Sequence, residues 1–217
     1  MEQLERDFLL INQYRILYNQ SIITFLFPVL TSIALCFILW PVSGHFYLLL
    51  WTSIVIVFSV IRYALIWKLN QRRVTVENAA KWLDFFTFNV FVSGAIWGTA
   101  PIILIPYRPD ALLNFTLYNS LTMIIICGLV AGAVISYSVS KWVLFFYAFP
   151  ALFPPAVYLI SLGDKYNSAL GGFVLLYLLF ITISSFLLYN QYYQYMSIQY
   201  RYHKLENEYE KLKNSRP

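Results

Sequence analysis

The run FFTFNVFVSGAIWGTAPIILIP, Phe85–Pro106, decides the fold class because none of its residues carries a charge. A helix needs about 20 mostly apolar residues to cross the hydrocarbon of a bilayer. A strand of a membrane barrel would instead show about 10 residues of alternating character. The run is continuous and long, so it predicts a transmembrane helix.

Five further runs of the same character predict five further spans. They are Ser21–Trp40, Phe46–Trp67, Ala111–Ser136, Trp142–Gly163 and Leu170–Tyr189. The chain is 60% hydrophobic and 12% charged, against about 45–50% and 25% for soluble domains. We therefore expect an all-α integral membrane protein with six transmembrane helices and the lipid bilayer as its surroundings.

The basic residues predict the orientation of these spans. Thirteen of the 15 Lys and Arg residues fall in the two tails and in the connections on one side, and only Arg108 and Lys165 fall on the other. Cytoplasmic segments carry the excess of Lys and Arg. Both termini are expected in the cytoplasm, and the net charge of +5 is assigned to orientation and not to nucleic-acid binding.

The chain divides into three predicted parts. Residues 1–20 are expected to form an amphipathic cytoplasmic or interfacial helix, because Leu4, Phe8, Ile11 and Tyr14 recur at helical spacing. Residues 21–189 are expected to form the six-helix domain, and residues 190–217 a cytoplasmic helix.

Apolar residues in this last part repeat every seven positions, as in the a and d positions of a coiled coil. The set, called here the C-terminal stripe, is Tyr195, Ile198, Tyr202, Leu205, Tyr209 and Leu212. It predicts a parallel homodimer. The alternative is a solvated helix that only continues the last span.

Two glycine pairs lie inside the most apolar runs. Glycine costs about 1 kcal/mol relative to alanine inside a helix, but small residues let helices approach closely in membranes. We expect two flat packing faces, either purely structural or able to slide during signalling. Their residues are Ser93, Gly94, Trp97 and Gly98 in the third span and Gly128 and Gly132 in the fourth.

Three prolines in the fifth span, Pro150, Pro154 and Pro155, predict helix bends. Together with the intramembrane amides Asn89 and Asn119 they mark a candidate pocket for a small or lipophilic ligand. Bending for shape alone is the alternative.

Residues for catalysis or for a metal are not expected. The histidines, His45 and His203, lie far apart, and Cys36 and Cys127 both lie in apolar runs. No phosphate loop, nucleophile–base set or carboxylate pair appears. Arg62 and Asp84 lie near the cytoplasmic ends of their spans, where snorkelling or a mutual ion pair would accommodate them.

An ordered set of segments carries a resemblance. LYNQSIITFLFPVLTSIALCFILW is followed by IRYALIW, Trp82, SGAIWG, CGLVAGAV, FPALFPP, SLGD and YRYHKLENEYEKL. This order resembles the N-terminal multi-helix membrane module of bacterial signalling proteins, which precedes diguanylate cyclase (GGDEF), EAL phosphodiesterase or sensor histidine kinase domains. Nearly the whole chain takes part in the resemblance.

The resemblance implies a sensor in the bacterial cytoplasmic membrane that signals through its sixth helix to a cytoplasmic output domain. The 217 residues contain no GGDEF, EAL or kinase motif, so a fragment or a stand-alone module is expected, and no enzymatic activity carries over. A small six-helix transporter is the alternative function.

Overall fold

The computed structural model describes residues 2–19, 21–70 and 75–214, and these ranges contain helices and no β-strand. A short 3-10 helix, Pro109–Ala111, precedes α5. The α-helices are α1 (Glu2–Asn19), α2 (Ser21–Leu39), α3 (His45–Asn70), α4 (Val76–Ile103), α5 (Leu112–Tyr137), α6 (Val143–Ser161) and α7 (Lys165–Asn214). The predicted all-α class is confirmed.

Five of these helices, α3 to α7, are long and apolar enough to cross a membrane. The apolar stretch of α2 over the described side chains, Phe25–Leu39, is shorter. Large side chains such as Phe37, Leu113 and Phe173 are exposed, as expected where lipid covers a helix. The sixth span stays a prediction.

Two helices extend beyond the predicted limits of their segments. The predicted span Phe85–Pro106 belongs to a helix that begins at Val76, because Thr75 caps it by accepting the backbone N–H of Asn78 at 3.3 Å. α7 runs without a break from Lys165 to Asn214, so no structural boundary separates residues 189 and 190.

The turn between α6 and α7 depends on Gly163 and Asp164. Gly163 has a φ of +74°, which only glycine adopts at no steric cost. Asp164 Oδ1 then accepts the backbone N–H of Asn167 at 2.9 Å and that of Tyr166 at 3.2 Å. Slight burial raises the pKa of this carboxyl, but the hydrogen bonds together lower it by more. The pKa of Asp164 therefore lies below its usual value.

Helix α6 lies at the centre of the bundle, with α4 on one side and α7 on the other. α5 packs on α6 and α7, α2 pairs with α3, and α1 lies against α4 and α7. The buried core is therefore thickest along α6, the helix with the three prolines.

Candidate functional site

The contact between α4 and α6 is a backbone approach made by the first glycine pair. A Cβ at Gly94 would meet the carbonyl oxygen of Tyr147 and, at 3.0 Å, Cγ of Pro150. A Cβ at Gly98 would meet the carbonyl oxygen of Pro150. Ser93 and Trp97 are buried beside these glycines, so this face of α4 lies flat on α6.

The prolines of α6 explain which backbone atom Gly98 covers. Pro154 has no N–H, so the carbonyl four residues earlier, that of Pro150, lacks its helical donor. Gly98 lies against this carbonyl, so the glycine face of α4 covers it. The glycine pair and the proline helix are thus complementary surfaces.

A third glycine, which the sequence analysis did not single out, brings α7 equally close on the other side of α6. A Cβ at Gly171 would lie 2.6 Å from the carbonyl oxygen of Ala156 and 2.8 Å from Cγ1 of Ile160. The neighbouring Gly172 has open space instead. The adjacent glycines Gly171 and Gly172 in the last predicted span are the sequence signal that could have indicated this contact.

The second glycine pair requires a correction. A Cβ at Gly128 or Gly132 would meet no atom within 4 Å, so these residues make no close helix contact. They form one wall of a cavity of about 470 Å³ between α2 and α5. The cavity lining comprises Phe27, Pro28, Thr31, Ile125, Gly128, Leu129, Gly132, Ala133, Ser136, Tyr137 and Tyr147.

The residues expected to form a pocket do not line this cavity. The side-chain amide of Asn89 donates to the carbonyl of Phe85, and that of Asn119 to the carbonyl of Phe115, each within its own helix. Pro150 and Pro155 are buried, and Pro154 is exposed. The prolines shape α6, while the cavity comes from the sparse side chains of α5.

A buried arginine stands behind the cavity wall. Arg62 of α3 is 7% exposed and donates from Nη2 to the Tyr137 hydroxyl at 2.9 Å. Its guanidinium lies 5.3 Å from the ring centre of Phe86, a cation–π contact. Asp84 is exposed, and among the described residues no ion pair joins it to Arg62, so the expected mutual pair does not form.

Aromatic rings continue from Arg62 to the N-terminal helix. Phe86 stacks on Trp82 at 5.0 Å between ring centres, and Trp82 meets Tyr14 of α1 edge-on at 4.7 Å. Trp82 Nε1 is buried with no acceptor among the described residues. The sequence analysis noted Trp82 only as part of the resemblance, because partners so distant in the chain leave no local pattern.

The C-terminal stripe lies on the surface of α7. Tyr195, Ile198, Tyr202, Leu205 and Tyr209 are each between 60% and 67% exposed. The side chain of Leu212 lies outside the described residues. An apolar row with this exposure is available for a partner helix.

Within the described residues there is no cluster of three or more His, Cys, Asp or Glu side chains placed for a metal. Cys36 and Cys127 are free thiols. The comparisons with protein-family models, with curated proteins and with solved structures give no match.

Proposed function

We propose that the chain is the membrane-embedded input module of a bacterial signalling protein, with both termini in the cytoplasm. A stimulus received in the bundle changes the position or pairing of α7, and α7 passes the change to a diguanylate cyclase or histidine kinase domain. The charge distribution and the ordered resemblance support this proposal.

The observation that carries the proposal is the length of α7. It has 50 residues in one helix, which at about 1.5 Å per residue is about 75 Å. The hydrocarbon core takes about 30 Å of this length. A rigid rod about 45 Å long therefore leaves the bilayer, and the apolar stripe lies exposed along this rod.

The N-terminal helix contacts a different face of α7. α1 packs on the opposite side of α7, where the rings of Phe8 and Tyr200 lie 5.4 Å apart and Met196 is buried. Met196 and Tyr200 point about 160° away from the stripe on a helix of 100° per residue. One face of α7 thus contacts the bundle through α1, and the face with the stripe is proposed to pair with a second copy.

A small transporter is the second candidate, favoured by the cavity between α2 and α5. A transporter has no physical need for a long helix with a heptad stripe outside the membrane. Transporter sites also lie near the bilayer midplane, whereas Ser136 and Tyr137 of this cavity lie at the end of α5.

Disulfide formation between copies tests the dimer. In a chain with Cys36 and Cys127 replaced by Ala, Ile198→Cys or Leu205→Cys should cross-link in native membranes. Gln199→Cys and Glu206→Cys, one position further and also exposed, are the matched controls. Equal cross-linking at both pairs would mean that the stripe is not the interface.

Phase dependence tests signalling. Residues 1–217 are fused to a diguanylate cyclase domain that is active only as a dimer, and residues are inserted after Arg201, beyond the α1 contact at Tyr200. Two residues rotate the output by about 200° and seven by about 700°, within 20° of the start. Output should fall with two and return with seven, and a smooth decline with insert length would favour the transporter.

A further inference from the structure

The cavity between α2 and α5 spans about one leaflet of a bilayer. Its lining on α5 begins at Ile125, in the middle of the helix, and ends at Tyr137, the last residue. These positions lie about 18 Å apart at 1.5 Å per residue. Half of the hydrocarbon core is about 15 Å, so the cavity reaches from the midplane to the headgroup level.

Three of the four polar side chains of the lining lie at the headgroup end. The fourth, Thr31 of α2, donates to the carbonyl of Phe27 within its own helix. Ser136 and Tyr137 close α5, and Tyr147 lies in the first turns of α6 at the same end. Tyr147 is 4% exposed, and its ring centre lies 5.6 Å from that of Tyr137. The Tyr137 hydroxyl accepts from Arg62 and keeps its own proton to donate.

Arg62 gives this end a positive charge. The described residues place the Tyr137 hydroxyl and the Phe86 ring against it, and no carboxylate. A buried charge without a counter-ion is costly inside a membrane. An anion that accepted the Tyr137 and Tyr147 hydroxyl protons would lie one side chain away from the guanidinium and would reduce that cost.

The other end of the cavity suits a hydrocarbon chain. Gly128 and Gly132, one turn apart, expose a flat strip of α5 beside Ile125 and Leu129. Phe27 of α2, at the rim, is 61% exposed, so the cavity is entered from the lipid side.

The geometry points to a site for one acyl amphiphile with an anionic head: the head binds Tyr137 and Tyr147, and the chain lies along Gly128 and Gly132. A free fatty acid and an acidic phospholipid share this chemistry. The inference that occupancy of this site is the stimulus rests on the proposed function. The inference that the amphiphile binds here does not.

The test uses the full chain in vesicles of neutral phosphatidylcholine with a photoreactive palmitic acid and, as the uncharged probe, its methyl ester. The acid should label α5 about tenfold more than the ester, because only the acid forms charge-assisted hydrogen bonds. Tyr147→Phe should reduce labelling by the acid about fivefold and leave the ester unchanged. Equal labelling by the two probes would overturn the proposal.

Variants that fill the cavity, with a matched control on α7, test whether the acyl chain lies along α5. Gly132→Leu and, independently, Gly128→Leu should lose most of the labelling, while Gly172→Leu, at an open position on α7, should keep it. Melting temperatures in detergent verify that all three variants are folded. Unchanged labelling in both folded α5 variants would place the ligand elsewhere.

Competition experiments distinguish the two ligand classes, a free fatty acid and an acidic phospholipid. Displacement of the probe by palmitic acid but not by phosphatidylglycerol identifies a free fatty acid, and displacement by phosphatidylglycerol identifies a phospholipid. Displacement by neither overturns the site. The labelling does not use the output domain, so binding without phase dependence removes only the signalling role, and phase dependence without binding removes only this site.

Discussion

The substitution Gly98→Ala tests the backbone contact between α4 and α6 with a single added methyl group. Its Cβ would overlap the carbonyl oxygen of Pro150, a backbone atom that no side-chain rotation can move away. The helices must separate or shift, and such over-packing costs about 1–3 kcal/mol. Alanine returns about 1 kcal/mol of helix propensity, so the net destabilisation is about 0–2 kcal/mol.

The matched control is Gly132→Ala. It makes the same chemical change in the interior of a helix, but its Cβ meets no atom within 4 Å. Only the propensity gain of about 1 kcal/mol remains. The two variants should therefore differ by about 1–3 kcal/mol in free energy of unfolding, since the over-packing term is the difference between them.

The assay is reversible unfolding in mixed micelles with increasing dodecyl sulfate, followed by circular dichroism and by tryptophan fluorescence. Trp97, buried next to Gly98, is one of the six tryptophans that contribute to this fluorescence. If Gly98→Ala proved as stable as Gly132→Ala, the close approach of α4 and α6 would be wrong. Gly98→Leu should then also be tolerated, whereas the contact predicts that it misassembles.

Two further predictions concern topology and capping. Single cysteines at Gly44, after α2, and at Tyr166, in the first turn of α7, both exposed, should react with an impermeant thiol reagent on intact cells, while Thr75→Cys should not. Labelling of Thr75→Cys would reverse the predicted orientation. The neighbouring Ser43 and Asn167 are unsuitable because both are buried. Asp164→Ala should lower the free energy of unfolding at pH 7 by about 1 kcal/mol through loss of the cap of α7. Because folding lowers the pKa of Asp164, this contribution is complete above the unfolded pKa of about 3.9 and disappears as the pH falls through the folded pKa. Chemical unfolding at a series of pH values should therefore show the free energies of the variant and the wild type converging in acid.

The helices could be predicted from the sequence because a bilayer leaves the backbone few choices. Lipid offers no hydrogen bonds, so an uncharged run of about 20 residues must form a helix. The run around Gly98 needed no knowledge of its neighbours to be assigned. The start of this helix at Val76 could not be assigned in that way, because the cap at Thr75 lies in a polar connection where hydrophobicity gives no signal.

The polar cluster at the end of α5 could not be predicted in the same way. Arg62 and Tyr137 are 75 positions apart, and Trp82 and Tyr14 meet only because α1 folds back onto α4. Sequence spacing predicts contacts within one helix, where residues three and four apart are neighbours. The sequence left snorkelling or an ion pair with Asp84 as the alternatives for Arg62, and only the fold brings the Tyr137 hydroxyl to it.

The two glycine pairs show how one motif can have two physical reasons. In α4 the cost of Gly94 and Gly98 is offset locally, because these glycines let the backbone of α6 approach closely. In α5 nothing within the described protein offsets the same cost at Gly128 and Gly132. Leucine at either α5 position would raise helix propensity by most of 1 kcal/mol and fill the adjoining cavity. The variants should therefore separate the two reasons: substitution in α4 reduces the stability of the bundle, whereas substitution in α5 preserves stability and removes the bound amphiphile.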